Sequence, residues 1–225
     1  MMKALLYKEW CAQRKVIYIW GGFIILLCGV LNGMLGEREY SYIGSQIVYG
    51  FSLVFCSIQV FLYSMNMEGK NKIYVILKSV PSSSREVVLS KYIFSVLCFF
   101  IYLIVSLVTV LGLKLLFINA SFISFNTLSI SLAIFLLLIS LYIPIFFKVI
   151  GKNMGYINSV FMILMVLVYN LVFKNLKKDY INTNIIGSLN DNITVFSSLI
   201  LVISLILLYI SHKISIGFYK NREEL

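Results

Sequence analysis

A chain of 225 residues is long enough for one ordinary soluble domain, but 60% of its residues are hydrophobic, 12% are charged and the mean hydropathy is +0.95. Soluble globular proteins carry roughly a quarter charged residues, so half that share, spread between apolar runs of about 20, excludes a soluble globule and specifies an integral membrane protein. The net charge of +10 does not signal a nucleic-acid partner, because the basic residues sit between the hydrophobic segments, where topology signals belong.

With two prolines and apolar runs that do not alternate, the chain is no membrane barrel. The fold expected is all-α, a single polytopic membrane domain over 1–225. Residues 1–15 mix Lys3, Lys8, Arg14 and Lys15 with Leu5, Leu6 and Trp10. On a helix Met2, Leu5, Leu6 and Trp10 share a face, into which Glu9 and Gln13 intrude. This is either an interface helix along the membrane surface or a basic flank that fixes orientation. The first apolar run continues beyond 18 residues without an A-x-A site, which reads as a span and not a cleaved leader.

Six spans follow, at 16–35, 43–65, 92–117, 128–147, 156–173 and 193–211. Each is near the roughly 20 residues that cross about 30 Å of hydrocarbon. Segments 1–15, 66–91, 148–155 and 212–225 hold 14 of the 19 Lys and Arg residues. The positive-inside rule therefore places both termini in the cytoplasm. Segment 174–192 then lies outside, too long for a turn and too polar to span. Pro144 is expected to kink the fourth span locally.

Segment 66–91 is the longest polar interruption and the only sizeable inner surface. Glu68-Gly69 ends the second span, Ile73 to Leu77 is a short apolar patch, and Pro81 forces a break. Ser83 and Glu86 then form S-x-x-E, a capping box from which a helix would run through Val87, Val88 and Leu89 into the third span.

Two patterns mark the spans. Ser45, Tyr49, Ser52, Cys56, Gln59, Tyr63 and Asn66 recur at spacings of 4, 3, 4, 3, 4 and 3, which gathers them on one face of the second span. Intramembrane polar groups face a partner or a wet cavity, so this line is either hydrogen-bonded between packed helices or a wall of a translocation path for something amphipathic. In the first span Gly22, Gly29, Gly33 and Gly36 share a face that lets backbones approach closely, within the chain or against a second copy; packing within the chain is the favoured expectation.

Absences narrow the function. There is no G-x-x-x-x-G-K-[ST], so no P-loop, and no H-E-x-x-H, G-x-S-x-G or Ser/His/Asp set. Cys11, Cys28, Cys56 and Cys98 show no C-x-x-C spacing, and His212 is the single histidine; no metal centre is expected. No span carries a charge near its middle, against an ion-coupled transporter. The chain is not expected to be an enzyme.

The start M-K-A-L-L-Y-K-E-W, and E-G-K-N-K-I-Y-V-I-L-K-S-V-P-S-S-S-R-E-V-V-L-S-K-Y leading into the third span, resemble ABC-2-type ABC transporter permeases. Within that group the chain is most similar to the small six-span permeases of phenol-soluble-modulin and bacteriocin exporters. Ser79, Val80, Pro81, Ser84, Arg85, Val87, Val88, Ser90, Lys91 and Tyr92 fit the group's pattern, with valine in place of the usual leucine before proline. The resemblance implies a multi-pass plasma-membrane subunit that pairs with a second, identical permease and two cytosolic ABC ATPases. ATP and Mg would bind the ATPases and not this chain. It implies that Glu68 to Lys78 is the coupling segment that docks on the ATPase and that Pro81–Glu86 links it to the third span. Glu68, Lys70, Lys72, Lys78, Pro81, Arg85 and Glu86 would then be the coupling residues. The cargo implied is an amphipathic peptide moved out of the cell. A permease for a drug or lipid-like amphiphile, or a non-transporting immunity or scaffold protein, are the alternatives.

Overall fold

The structure is a computed structural model that describes residues 2–35, 41–70, 83–115, 122–149, 155–163, 167 and 193–223. The described residues form helices only: α1 (Met2–Leu35), α2 (Ser41–Lys70), α3 (Ser84–Leu115), α4 (Phe125–Val149), α5 (155–163) and α6 (Ile193–Glu223). Five of them, all but α5, are long and apolar enough to cross a membrane. Most of the expected fifth span, 164–173 apart from Leu167, lies outside the described residues, as does all of 174–192.

Helix α2 is the axis of the bundle. It is buried almost all round from Ser45 to Gly69, its polar residues included. α1 and α3 pack on it and on each other, while α4 pairs most extensively with α6 and also borders α2. The outward faces are apolar. Leu97, Phe100, Ile104, Val108, Leu111 and Leu115 make an exposed stripe along α3, and α6 exposes Phe196, Leu199, Ile203, Ile206 and Ile210. In a chain of this hydropathy these are lipid-facing surfaces.

The α4–α6 seam is made by small residues. Ser197, Ser204 and Ser211, seven residues apart, are buried, as are Ser129, Ala133 and Ser140 of α4, and Ser211 Oγ donates to the Ser140 carbonyl across the seam. Each of Ser197, Ser204 and Ser140 returns its hydroxyl to a carbonyl three residues back in its own helix, at 2.7–3.0 Å. Small, self-satisfied hydroxyls let the two backbones close up without stranding a polar group in hydrocarbon.

Two expectations are corrected here. The separate surface helix at 1–15 does not exist as such: α1 is one unbroken helix from Met2 to Leu35. Nothing between Arg14 and Trp20 is a breaker, so the helix has no reason to end. Nor do Met2, Leu5, Leu6 and Trp10 share one environment. Leu5, Glu9, Gln13, Ile17, Gly21, Ile24 and Cys28 are buried, whereas Trp10 is exposed. Glu9 and Gln13 are part of the packed face. The serine half of the capping box is formed: Ser83 Oγ accepts from the Glu86 amide at 3.3 Å, the Ser83 carbonyl accepts from the amides of Glu86 and Val87, and α3 runs on without interruption. Pro144 sits inside α4, which continues to Val149.

At the opposite end of α2 from Glu68, Gln46 clamps the start of α4. Its Nε2 donates to the Phe122 carbonyl at 2.6 Å, and its Oε1 accepts from the Ser124 amide at 2.8 Å and from Thr127 Oγ1 at 2.9 Å. Ser124 in turn caps α4 through the Thr127 amide. Gln46→Leu is expected to lower stability by about 1 kcal/mol, the low end for a group left without its partner, because exposed Phe122 leaves room for water. Thermal unfolding in detergent measures it.

Candidate functional site

Four charged side chains meet where the start of α1, the end of α2 and the start of α3 come together. Lys91 Nζ lies 2.6 Å from Glu9 Oε1 and 2.5 Å from Glu68 Oε1. Lys8 Nζ lies 2.8 Å from Glu68 Oε1 and 3.2 Å from Glu9 Oε1. The remaining oxygen of Glu9, Oε2, accepts from Ser64 Oγ at 3.1 Å. Lys91 and Glu9 side chains are each 3% exposed and Glu68 9%, while Lys8 at 34% forms the wet edge.

The sequence builds this locally. Glu9 falls on the buried stripe of α1 because it stands four residues from Leu5 and four from Gln13. Ser64 and Glu68 are one turn apart on α2 and share a face. Lys91 is two turns into α3, flanked by buried Val88 and Tyr92. With two carboxylates and two ammonium groups the cluster is formally neutral. That balance is what makes its burial tolerable, since an unpaired buried charge is the costly case.

Next to it runs a second polar junction. Tyr92 Oη bonds Ser211 Oγ at 2.7 Å and Ser215 Oγ at 3.1 Å, and Ser211 Oγ donates to the Ser140 carbonyl at 2.6 Å. Consecutive residues of α3 therefore reach opposite ways: Lys91 into α1 and α2, Tyr92 into α6. The exposed cations Lys3, Arg14, Lys15, Arg85, Lys148, Lys213 and Lys220 all fall at this same end of the bundle.

The expected coupling residues divide. Glu68 is buried in the cluster and ion-paired within the chain, while Arg85 is exposed and Glu86 half-exposed on the first turn of α3. Lys70 is the last residue of α2. Lys72, Lys78 and Pro81 lie outside the described residues.

The polar line of α2 is enclosed by the chain itself. Ser45, Tyr49, Ser52, Cys56 and Gln59 are buried, Asn66 is partly buried, and Tyr63 is exposed. Ser52 Oγ lies 3.7 Å from Cys28 Sγ of α1, and Gln59 Nε2 reaches Met162 Sδ of α5 at 2.6 Å. Tyr142 of α4 also bonds Asn158 of α5.

Among the glycines, an added Cβ at Gly22 or Gly29 would meet no atom within 4 Å. The favoured expectation of close packing within the chain is therefore wrong for these two: they face away from the bundle. Gly33 lies in α1, and Gly36 is outside the described residues.

Glu9, Lys91, Lys8 and Ser64 are not among the site residues expected from the sequence, although Lys91 lies in the pattern that carries the family resemblance and Glu9 stands out on its helix face. The available signal was the four-residue spacing Leu5-Glu9-Gln13-Ile17, which was masked by the neighbouring Leu6 and Trp10. No group of three or more His, Cys, Asp or Glu suited to a metal occurs among the described residues.

A family model described as ABC-2 family transporter protein matches residues 4–220. No curated protein and no solved structure matches the chain significantly.

Proposed function

The chain belongs to the ABC-2 family of transporter proteins, and from that premise we propose that it exports amphipathic peptides, driven by a separate cytosolic ATPase. It is a multi-pass membrane protein, the membrane component of such a transporter, and permeases of this family lack a nucleotide site and work with ABC ATPase subunits. The observation that carries the transporter part of this reading is the family match over nearly the whole chain; the peptide cargo rests on the resemblance and on the uncharged polar line of α2. Two features support the finer version. The exposed cations gather at the end where Glu9, Glu68 and Lys91 meet, which supports reading that end as cytoplasmic under the positive-inside rule. The segment between α2 and α3 leaves from that same end.

In this reading the ATPase docks on the segment from Glu68 to Lys78, with Lys70, Lys72, Lys78 and Arg85 meeting acidic groups, and two identical permeases form the pathway. Glu68 acts from inside, by fixing the end of α2 to α1 and α3, and not as a docking contact. Burial of Ser45, Tyr49, Ser52, Cys56 and Gln59 makes the described conformation a closed one. The polar line meets cargo only when α2 parts from its neighbours. Uncharged hydroxyls, an amide and tyrosines suit a sliding peptide better than a bare ion.

The test is to purify the chain from its own cell and reconstitute whatever assembly it holds. A copurifying P-loop ATPase, and ATP-dependent movement of an amphipathic helical peptide into inside-out vesicles, are expected. Movement of a lipid-like dye without the peptide would remove the peptide assignment. No associated ATPase, in detergent or in native membranes, would leave a scaffold or immunity role.

A further inference from the structure

We infer that α1 is a working part of the coupling device and that Glu9 is the positioning residue that joins it to the α2–α3 junction. The inference rests on the transporter reading above and adds a third helix to the load path. Both oxygens of Glu9 are engaged, Oε1 with Lys91 of α3 and Lys8, Oε2 with Ser64 of α2. One α1 side chain is thus fastened to both helices that flank segment 71–82.

The separations are short. Glu68 stands two residues before the end of α2 at Lys70, and Lys91 stands seven residues after the start of α3 at Ser84. A push on the connecting segment displaces both helix ends, and each end is tied to Glu9 by contacts of 3.2 Å or less. Apolar side chains slide past one another, but charge-assisted hydrogen bonds in a dry site hold distance and direction. The link therefore transmits displacement.

α1 then carries that displacement on. The helix is unbroken from Met2 to Leu35, so from Glu9 onward it extends about 39 Å at 1.5 Å per residue, more than the hydrocarbon thickness of about 30 Å. Farther along, Tyr102 Oη of α3 donates to the Ile17 carbonyl at 3.1 Å, a second tie between the same two helices. In the inference, α1 moves with the ends of α2 and α3 to which Glu9 and Tyr102 fasten it, relative to the closely paired α4 and α6.

The experiment uses the complete transporter in proteoliposomes and compares Glu9→Gln with wild type. Glutamine keeps the size of the side chain and removes its charge. ATP hydrolysis by the partner is expected to stay within about twofold of wild type, while peptide moved per ATP falls about tenfold or more. A purely structural role would lower both together through loss of assembly, and that outcome overturns the inference, as does an unchanged transport-to-hydrolysis ratio. Cys11, two residues on, is exposed whereas the other three cysteines are buried. It can carry a spin label, with a second on Lys213→Cys of α6. Their distance is expected to change between nucleotide-free and nucleotide-trapped states in wild type and to stay fixed in Glu9→Gln. A distance that never changes in a wild-type assembly that hydrolyses ATP overturns the inference. A distance that changes while no peptide moves upholds it and sinks the cargo assignment instead. If Glu9→Gln does not accumulate, Ser64→Ala leaves every charge in place and removes one arm. Transport per ATP is then expected to drop two- to threefold, and no drop overturns the inference.

Discussion

Lys91→Met is expected to be the most damaging single substitution in the chain, lowering stability by about 3–5 kcal/mol, the range for removing one partner of a buried ion pair. Lys91 is the only deeply buried cation of the cluster and touches both carboxylates, at 2.6 and 2.5 Å. Methionine fills much the same volume, so the loss is electrostatic and not a cavity. It leaves Glu9 and Glu68 facing each other in a site each enters at less than a tenth of its exposed area, with Lys8 alone to offset them. Like charges so placed drive proton uptake or separation, and separation pulls α1 off α2. The diagnostic is the combination Glu9→Gln, Glu68→Gln, Lys8→Met, Lys91→Met, which removes all four charges of the cluster. A neutral network of similar shape is expected to regain most of the loss, since replacing a whole buried ion cluster is often neutral or stabilising. Lys8→Met, at the exposed edge, is expected to cost 1 kcal/mol or less, as surface pairs do. Thermal unfolding of the purified chain in one detergent–lipid mixture ranks all three. If Lys91→Met melts within a degree or two of wild type, the cluster is not the buried junction described.

Helix positions were legible in the sequence because they depend on the crudest signal, runs of apolar residues long enough to cross a bilayer. The capping serine Ser83 was legible because a cap is a local matter of four residues. What failed were judgements about which face turns inward. In a soluble protein the apolar stripe points to the core, but α1 reverses that logic: lipid takes the apolar residues Tyr18, Ile19, Ile25 and Leu26, while the core takes Glu9 and Gln13. A carboxylate on an otherwise greasy face therefore marked a partner on another helix and not a blemish. The partner, Lys91, stands 82 residues away, beyond any local pattern. The polar line of α2 left two readings open, packing between helices or the wall of a path. Its spacing was real, and its residues do share a face, but α2 is central, so that face meets other helices of the chain. Gly22 and Gly29 erred the opposite way, since a small-residue face reads identically whether it turns inward or outward. Conversely, the seven-residue spacing of Ser197, Ser204 and Ser211 was present in the sequence and marks a true seam, a case where small polar residues among leucines and isoleucines do point to the contact side.

Ser204→Leu is expected to lower stability by about 1–3 kcal/mol, the usual range for overpacking a well-filled interior. Ser204 is 0% exposed at the middle of the seam between α4 and α6, with Ser197 and Ser211 one heptad to either side. Its own hydroxyl bonds the Leu201 carbonyl at 2.7 Å, so removing it strands no partner, and the expected loss is steric. The added carbons must force the helices apart, because the seam is already closed: Ser204 is fully buried, and Ser129, Ala133 and Ser140 of α4 are buried as well. In lipid there is no hydrophobic gain to set against that, since leucine is as well solvated by acyl chains as by protein. Ser204→Ala, by the same reasoning, is expected to be neutral to within about 0.5 kcal/mol, as for changes that touch none of the costly mechanisms. The same steric wedge predicts a functional asymmetry. Leucine at Val202 or Ile206, both exposed to lipid, is expected to leave stability unchanged although it lies on the same two turns of α6. Melting temperatures of the four variants, measured together, separate a packed seam from a lipid-facing surface: if Ser204→Leu melts with the Val202 and Ile206 variants, α6 does not pack on α4 through its serines.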